Sequence, residues 1–189
     1  ICSHTGVAGV TPHWRNLDDL QLRAIAERGG LVGILAAPQY LGGRGLERVV
    51  AHMLHAVRIM GAEHVALGSD LDGFVVAPRE LPDISQLPRL TQALLEAGLR
   101  ELQHSCDEWQ RLDRRDARSL AALAHRTKCT ASELALRFLW DASVALEKAC
   151  KARPNDPHAW PLHAFESKLL EAAAWVAQQE AQAGTTPAK

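Results

Sequence analysis

Hydrophobic positions in the first half of the chain alternate between a helical and a strand-like spacing. Residues 15–30, RNLDDLQLRAIAERGG, carry leucine and isoleucine at helical spacing, with Asn16 as the expected N-cap and Gly29 and Gly30 as the expected end. Residues 31–37, LVGILAA, form a short continuous apolar run. Such a run is typical of a parallel strand that is buried on both faces.

The same alternation then repeats along the chain. Residues 46–61 predict a second helix with a broad apolar face, and residues 64–69, HVALGS, predict a second strand. A proline-rich loop leads to a third helix over residues 89–99, and the opening ICSHT has the pattern of the end of a strand. Repeated strand–loop–helix units indicate an α/β fold with a parallel sheet, and both an open doubly wound sheet and a closed (β/α)8 barrel fit them.

From about Arg100 the strand pattern stops. Charged or amphipathic helical segments cover residues 100–128, 130–153 and 162–183. The sequence therefore predicts two regions, an α/β region over residues 1–99 and a helical extension over residues 100–189.

Composition narrows the classes of function. A net charge of -1 without a long Lys/Arg cluster argues against a general nucleic-acid binder. The longest apolar run, residues 31–38, is too short to cross a bilayer, and the absence of a signal-peptide pattern favours a cytoplasmic location. The cysteines contain no C-x-x-C pair and suit reduced, buried thiols: Cys2, Cys106, Cys129 and Cys150.

Candidate chemistry lies where the predicted strands end. His4 follows the first strand, and Asp70 and Asp72 follow another in the stretch ALGSDLDGF. Ligands of parallel α/β sheets gather at the carboxyl ends of the strands. A plain Asp-x-Asp-Gly turn remains an alternative for the aspartates, and Arg15 is either a surface charge or a guanidinium that pairs with a carboxylate.

The remaining histidines favour structural roles. His52 and His55 share one side of the second helix but have no acidic partner nearby in the sequence, so we expect packing and hydrogen bonding rather than metal binding. His64 precedes a strand, which is the wrong end for catalysis. Four residues of the second half match no zinc-binding spacing: His104, Cys106, His125 and Cys129.

Three longer stretches together resemble one family. SHTGVAGVTPHWRNLDDLQLRAIAERGGLVGI, HMLHAVRIMGAEHVALGSDLDGF and PRELPDISQLPRLTQALLEAGL are similar, in order and spacing, to the membrane dipeptidase (renal dipeptidase) family of zinc peptidases over roughly residues 1–99. The resemblance implies a (β/α)8 barrel of the TIM type, of which this chain holds the last strands and helices. It also implies two zinc ions at the barrel mouth and the hydrolysis of dipeptides.

The resemblance assigns roles residue by residue. His4 matches a histidine ligand of one zinc, and Arg15 matches the arginine that grips the terminal carboxylate of the dipeptide. Asp70 matches the acidic residue that meets the amino end of the substrate and manages a proton. Asp72 is its neighbour in the motif and a further candidate.

The chain also departs from the family pattern. The segments that hold the other zinc ligands lie upstream in the family, and its closing Gly-Gly-Asn-x-x-Arg segment is not found after Gly98. We therefore expect a fragment that lacks most metal ligands, whose zinc binding and activity alone stay open, and whose expected partners are a complementing N-terminal half or a second copy. The alternative is a non-catalytic binding or helical interaction protein that keeps barrel pieces as scaffold.

Overall fold

A computed structural model describes residues 1–71, 73, 75–134 and 136–183. The chain divides into two compact units, Ile1–Leu94 and Leu95–Lys189. The elements of the first unit are β1 (Cys2–Thr5), α1 (Asp19–Ala26), β2 (Val32–Ile34), α2 (Pro38–Leu41), α3 (Leu46–Met60) and β3 (Val65–Leu67). The later helices are α4 (Leu87–Arg111), which contains the boundary, α5 (Ala117–Glu133), α6 (Arg137–Ala152) and α7 (Leu162–Ala183).

The strands of the first unit form a parallel sheet in the order β1-β2-β3. Val32 of β2 pairs with Cys2 on one side and with Val65 on the other. All three residues of the central strand β2 are buried, as a strand between two neighbours and two covered faces requires. The prediction of a small parallel sheet among helices is confirmed.

Helix α1 begins later than the sequence pattern predicts. Asp18 is its N-cap, because the Asp18 carboxylate accepts a hydrogen bond from the Gln21 amide at 2.8 Å while the Gln21 side chain accepts from the Asp18 amide at 3.0 Å. The prediction that Asn16 caps this helix is therefore wrong. The Asn16 side chain is buried and serves the preceding loop instead.

The second strand is shorter than its apolar run. Beyond Ile34 the backbone leaves the regular pairing, and the amides of Leu35 and Ala36 donate to the carbonyl oxygens of Thr5 and Ser69. The short helix α2 then forms between β2 and α3, with Pro38 in its first turn. The residues that follow β2 therefore connect the carboxyl ends of β1 and β3 through backbone hydrogen bonds.

Two glycines let the strands approach closely. A Cβ atom on Gly33 of β2, or on Gly68 just after β3, would overlap the Ser3 carbonyl oxygen of β1. Backbone therefore packs on backbone at this point, where any side chain would separate the strands.

The second unit is helical, but its helices break where the sequence pattern predicts continuity. The helix predicted over residues 100–128 is interrupted between Arg111 and Ala117, where the Asp116 carboxylate caps α5 by accepting from the amides of Arg118 and Ser119. The segment 130–153 is also split, whereas α7 matches its predicted bounds. Its core is a cluster that includes Leu102, Trp109, Leu120, Leu139, Leu146, Phe165 and Leu169.

The four cysteines are free thiols. Cys106 and Cys150 are buried, and burial raises the pKa of both thiols. Cys2 and Cys129 are only partly buried, so the expectation of buried thiols holds for two of the four.

Among the described residues, no helix is both long enough and apolar enough to traverse a membrane.

Candidate functional site

Arg15 lies on a closed loop between β1 and α1, residues 6–17, which we name the Arg15 loop. Its two ends lie side by side, because the Leu17 amide donates to the Gly6 carbonyl at 3.2 Å and the Ala8 amide donates to the Leu17 carbonyl at 2.8 Å. Compact loops with adjacent ends are frequently functional. The loop leaves the carboxyl end of β1, which is the catalytic end in parallel α/β proteins.

Asn16 holds the interior of the Arg15 loop. Its side chain is 7% exposed, and its Oδ1 accepts a hydrogen bond from the Gly6 amide at 3.2 Å. Its Nδ2 donates to the Thr11 carbonyl at 2.8 Å and to the Tyr40 carbonyl at 2.9 Å. One buried amide therefore connects the start of the loop, its middle and the α2 segment.

His52 of α3 holds the start of the same loop. Its fully buried ring accepts a hydrogen bond from the Val7 amide at Nδ1, at 2.9 Å, and its Nε2 faces the Leu41 carbonyl at 3.3 Å. Burial, with the nearby Arg48 charge as a smaller cause, lowers the pKa of His52 to about 4 despite the opposing bond to Leu41. The ring is therefore neutral near pH 7, and the predicted structural role of His52 agrees with this environment.

The carbonyl of Leu41 collects the remaining contacts between the loop and α2. It accepts from Arg48 Nε at 2.8 Å and from the Thr11 hydroxyl at 2.9 Å, while Arg48 Nη2 also donates to that hydroxyl at 2.7 Å. These contacts satisfy a carbonyl at the end of a short helix.

Arg15 itself points outward from this rigid support. Its backbone carbonyl accepts from the Thr5 hydroxyl at 3.1 Å, and its guanidinium lies over the Tyr40 ring, 5.2 Å from the centroid. Arg15 Nη1 also donates to the Tyr40 hydroxyl at 3.4 Å. Within the described part of the chain no carboxylate pairs with Arg15, so this held cation is available to an anion from outside.

His4 lies inside β1 rather than beyond its end. A register shift between Cys2 and Thr5 leaves Ser3 and His4 both exposed, and His4 Nδ1 lies 2.8 Å from the Ser3 hydroxyl. The other ring nitrogen, Nε2, has no hydrogen-bond partner among the described residues.

Asp70 follows β3 in a left-handed backbone conformation. Its φ is 55°, which aspartate adopts more readily than most residues, and its carbonyl accepts from the Gly73 amide at 3.1 Å. The exposed carboxylate lies against Gly73, where an added Cβ would overlap it. The predicted participant Asp72 lies outside the described residues.

His4, Arg15 and Asp70 lie at the same edge of the parallel sheet but do not contact one another directly. Each belongs to a strand end or to the segment that follows it, and the neighbouring backbone is joined across β2 through Thr5 and Ser69. The described side chains of the three make no hydrogen bond or ion pair with one another. Tyr40 is not among the residues predicted from sequence, although its place in the segment after a strand is a usable signal.

The described residues do not fit a complete metal site. No group of three or more His, Cys, Asp or Glu residues among them could hold an ion. In the second unit, His125 Nδ1 pairs with Glu147 at 3.1 Å. His4 is a single donor, whereas a catalytic zinc ion takes about three protein ligands.

Comparisons with known proteins place these residues in a family. The model of the membrane dipeptidase family (peptidase family M19) matches residues 1–105. An uncharacterized protein in the pqqA 5' region of Klebsiella pneumoniae is 39% identical over 109 residues, which cover 54% of this chain and 40% of that protein. Dipeptidase aclJ of Aspergillus oryzae is 35% identical over 102 residues, which cover 51% of this chain and 24% of that protein.

A solved structure shows the same partial coverage. The metallo peptidase from Rhodobacter sphaeroides, liganded with a phosphinate mimic of the dipeptide L-Ala-D-Ala, is 37% identical with a TM-score of 0.47 over 50% of this chain and 29% of that one. The chain thus spans less than half the length of these relatives. Since the family model covers more than half of the 189 residues, the chain belongs to the membrane dipeptidase family.

Proposed function

We propose that this chain is part of a zinc-dependent hydrolase that cleaves dipeptides. In this proposal residues 1–99 form the last strands and helices of a (β/α)8 barrel, and residues 100–189 form a helical extension. Family membership and the parallel alternation of strands and helices in the first unit support it.

The observation that carries the proposal is the guanidinium of Arg15. It is exposed and held over Tyr40, and it has no carboxylate partner among the described residues. A planar guanidinium can donate two parallel hydrogen bonds to a carboxylate. We assign Arg15 to the terminal carboxylate of a dipeptide.

Asp70 supplies the opposite charge. A dipeptide is a zwitterion, so a carboxylate at a second strand end complements its ammonium group. Asp70 is exposed after β3 and is oriented by its own left-handed backbone and by contact with Gly73. We assign it to the amino end of the substrate, where it holds or moves a proton, with Asp72 as a further participant.

His4 is the proposed metal ligand of this chain. The family implies two zinc ions, but the described residues do not fit a complete site, and we derive no step through zinc. In the proposal His4 completes a centre whose other donors lie in a complementing N-terminal half or a second copy.

A binding experiment tests the assignment of Arg15. The full chain is titrated with Ala-Ala and with Ala-Ala amide, and binding is followed by protein NMR. We expect the free dipeptide to bind about tenfold tighter, because a hydrogen bond to a charged group contributes about 1.5–3 kcal/mol. Arg15→Gln removes this preference, and the matched control Arg28→Gln, an exposed arginine of the same unit, keeps it. Equal affinities of the wild type for the two ligands would overturn the assignment.

A second measurement separates an enzyme from a binding protein. Zinc content by atomic spectroscopy and Ala-Ala hydrolysis are measured after zinc and a complementing N-terminal half of a family member are added to the full chain. We expect both to fall in His4→Ala and to persist in His64→Ala, since His64 lies before β3 at the other end of the sheet. A mixture of wild type and that half that binds no zinc and shows no turnover would favour the non-catalytic alternative.

A further inference from the structure

Two buried polar side chains support both partners of the guanidinium–tyrosine pair. We propose that Asn16 and His52 are positioning residues that pin the Arg15 loop and the Tyr40 segment together, and so direct the Arg15 guanidinium at a carboxylate. This inference rests on the proposed function, because it requires Arg15 to bind the carboxylate of a dipeptide.

Asn16 makes the first connection. It is the residue next to Arg15, and its amide joins Gly6 and Thr11 of the loop to the Tyr40 carbonyl at 2.9 Å. Any displacement of this amide therefore moves the backbone of Arg15 and the backbone of Tyr40 at once.

His52 makes the second connection from the other side. Its Nδ1 accepts from Val7 in the loop at 2.9 Å, and its Nε2 faces the carbonyl of Leu41, which follows Tyr40, at 3.3 Å. The cation and the ring beneath it are thus fixed by the same two side chains. Neither Asn16 nor His52 points into solvent, since both are buried.

The hydrogen bonds of Asn16 and His52 fix the orientation of the backbone groups that they contact. Apolar contacts are non-directional, whereas a hydrogen bond weakens steeply as its angle departs from linearity. A leucine at position 52 could fill the space, but it could not orient the Val7 amide. The supports therefore restrict how Arg15 meets a ligand, beyond their contribution to packing.

The test measures discrimination rather than stability. Ala-Ala and Ala-Ala amide are titrated into the full-chain wild type, Asn16→Ala and His52→Leu, with His52→Asn as the conservative variant because its amide oxygen can accept from Val7. Asn16→Asp is a second variant that keeps the acceptor for Gly6 but places a carboxylate oxygen, in place of the amide donor, against the carbonyls of Thr11 and Tyr40. His64→Leu is the matched control, because His64 Nδ1 also bonds a backbone carbonyl, that of Gly30 at 2.8 Å, away from the Arg15 loop.

We expect Asn16→Ala and His52→Leu to lower the ratio of the two affinities by about tenfold, through the free dipeptide alone. The amide should bind within about twofold of wild type, which also reports that the variant is folded. His52→Asn should regain most of the ratio, and His64→Leu should keep it. If the wild type prefers Ala-Ala to Ala-Ala amide and all four variants of Asn16 and His52 show the same preference, the positioning role is wrong while the proposed function stands. If the wild type does not discriminate, the proposed function itself fails.

Discussion

The two compact units differ in how their buried and charged side chains are held. In the first unit buried polar groups bond to backbone, as Asn16 and His52 do, while Arg15 and Asp70 remain exposed. In the second unit charged side chains pair with one another. Arg126 bonds Glu108 at 2.6 Å, and Lys168 bonds Glu171 at 2.7 Å.

Glu147 shows the second pattern most fully. It is 8% exposed and lies 2.5 Å from Lys151 Nζ, 2.9 Å from Lys128 Nζ and 3.1 Å from His125 Nδ1. Burial alone would raise the pKa of Glu147, but the hydrogen bonds from Lys151 and Lys128 outweigh it and bring the pKa to about 2.

Glu147 also lines a cleft of about 610 Å³ in the second unit. The cationic side chains Arg118, Arg126 and Lys151 line the cleft, and of these Arg126 is paired with Glu108 and Lys151 with Glu147. A cleft lined by charged side chains therefore does not by itself indicate a ligand site. A charge that is held in place but not paired, such as Arg15, is the stronger indication.

The largest expected effect tests whether the second unit depends on its apolar core. Phe165 is fully buried with its ring centroid 5.1 Å from that of Trp109, so Phe165→Ala should lower the free energy of unfolding by about 3–5 kcal/mol. Urea unfolding followed by tryptophan fluorescence measures this, because four of the five tryptophans lie in the second unit. Leu170→Ala on the same helix is the control, since Leu170 is 54% exposed. A loss as small as that of the control would mean that this core is not what stabilises the unit.

A smaller expected effect is a pH dependence of the unfolding free energy of the first unit, caused by His52. The pKa of His52 is about 4 in the folded chain against 6.5 ordinarily, so the unfolded chain binds more protons between these values. Stability contributed by the neutral ring is full above pH 6.5 and is lost as pH falls toward 4, about 2 kcal/mol between pH 7 and pH 5. Urea unfolding followed by far-UV circular dichroism at the two pH values checks this. His52→Asn should remove this part of the dependence, and an unchanged pH slope in that variant would contradict the assignment.

The smallest expected effect is the pH dependence that Glu147 gives to the stability of the second unit. The pKa of Glu147 is lowered from 4.5 to about 2, so its contribution is full above pH 4.5 and is lost as pH falls through 2. Solvent near the lysines screens the pair, so we expect a loss of about 1 kcal/mol between pH 6 and pH 3. The difference in unfolding free energy between wild type and Glu147→Gln should shrink over that interval. Equal differences at both pH values would show that the lysines do not stabilise the ionised carboxylate.

Much of the fold follows from local pattern. The apolar run containing Val32 and the helix from Leu46 to Met60 were predicted because burial on two faces and helical spacing leave plain signatures. The start of α1 was misassigned, because Asn16 and Asp18 are both good N-caps and the choice depends on Tyr40, which is 24 residues away from Asn16. The break before Ala117 was missed because a charged segment keeps its helical spacing on both sides of Asp116.

The candidate site divides in the same way. Strand ends are local features, so His4, Arg15 and Asp70 could be proposed from sequence together with a family resemblance. The side chains that support Arg15 could not be proposed from sequence. The contact of Val7 with His52 spans 45 residues and depends on how α3 packs. Local order therefore proposed candidate residues, and only the folded chain showed which side chains contact Arg15 and its loop.

At Gly33 and Gly68 the gap between Ser3, in the strand that bears His4, and the backbone of β2 and of the residue after β3 is too small for a side chain. An alanine at either position would insert a methyl group against the Ser3 carbonyl and widen that gap. The position of the His4 strand relative to its neighbours thus depends partly on two residues that have no side chain.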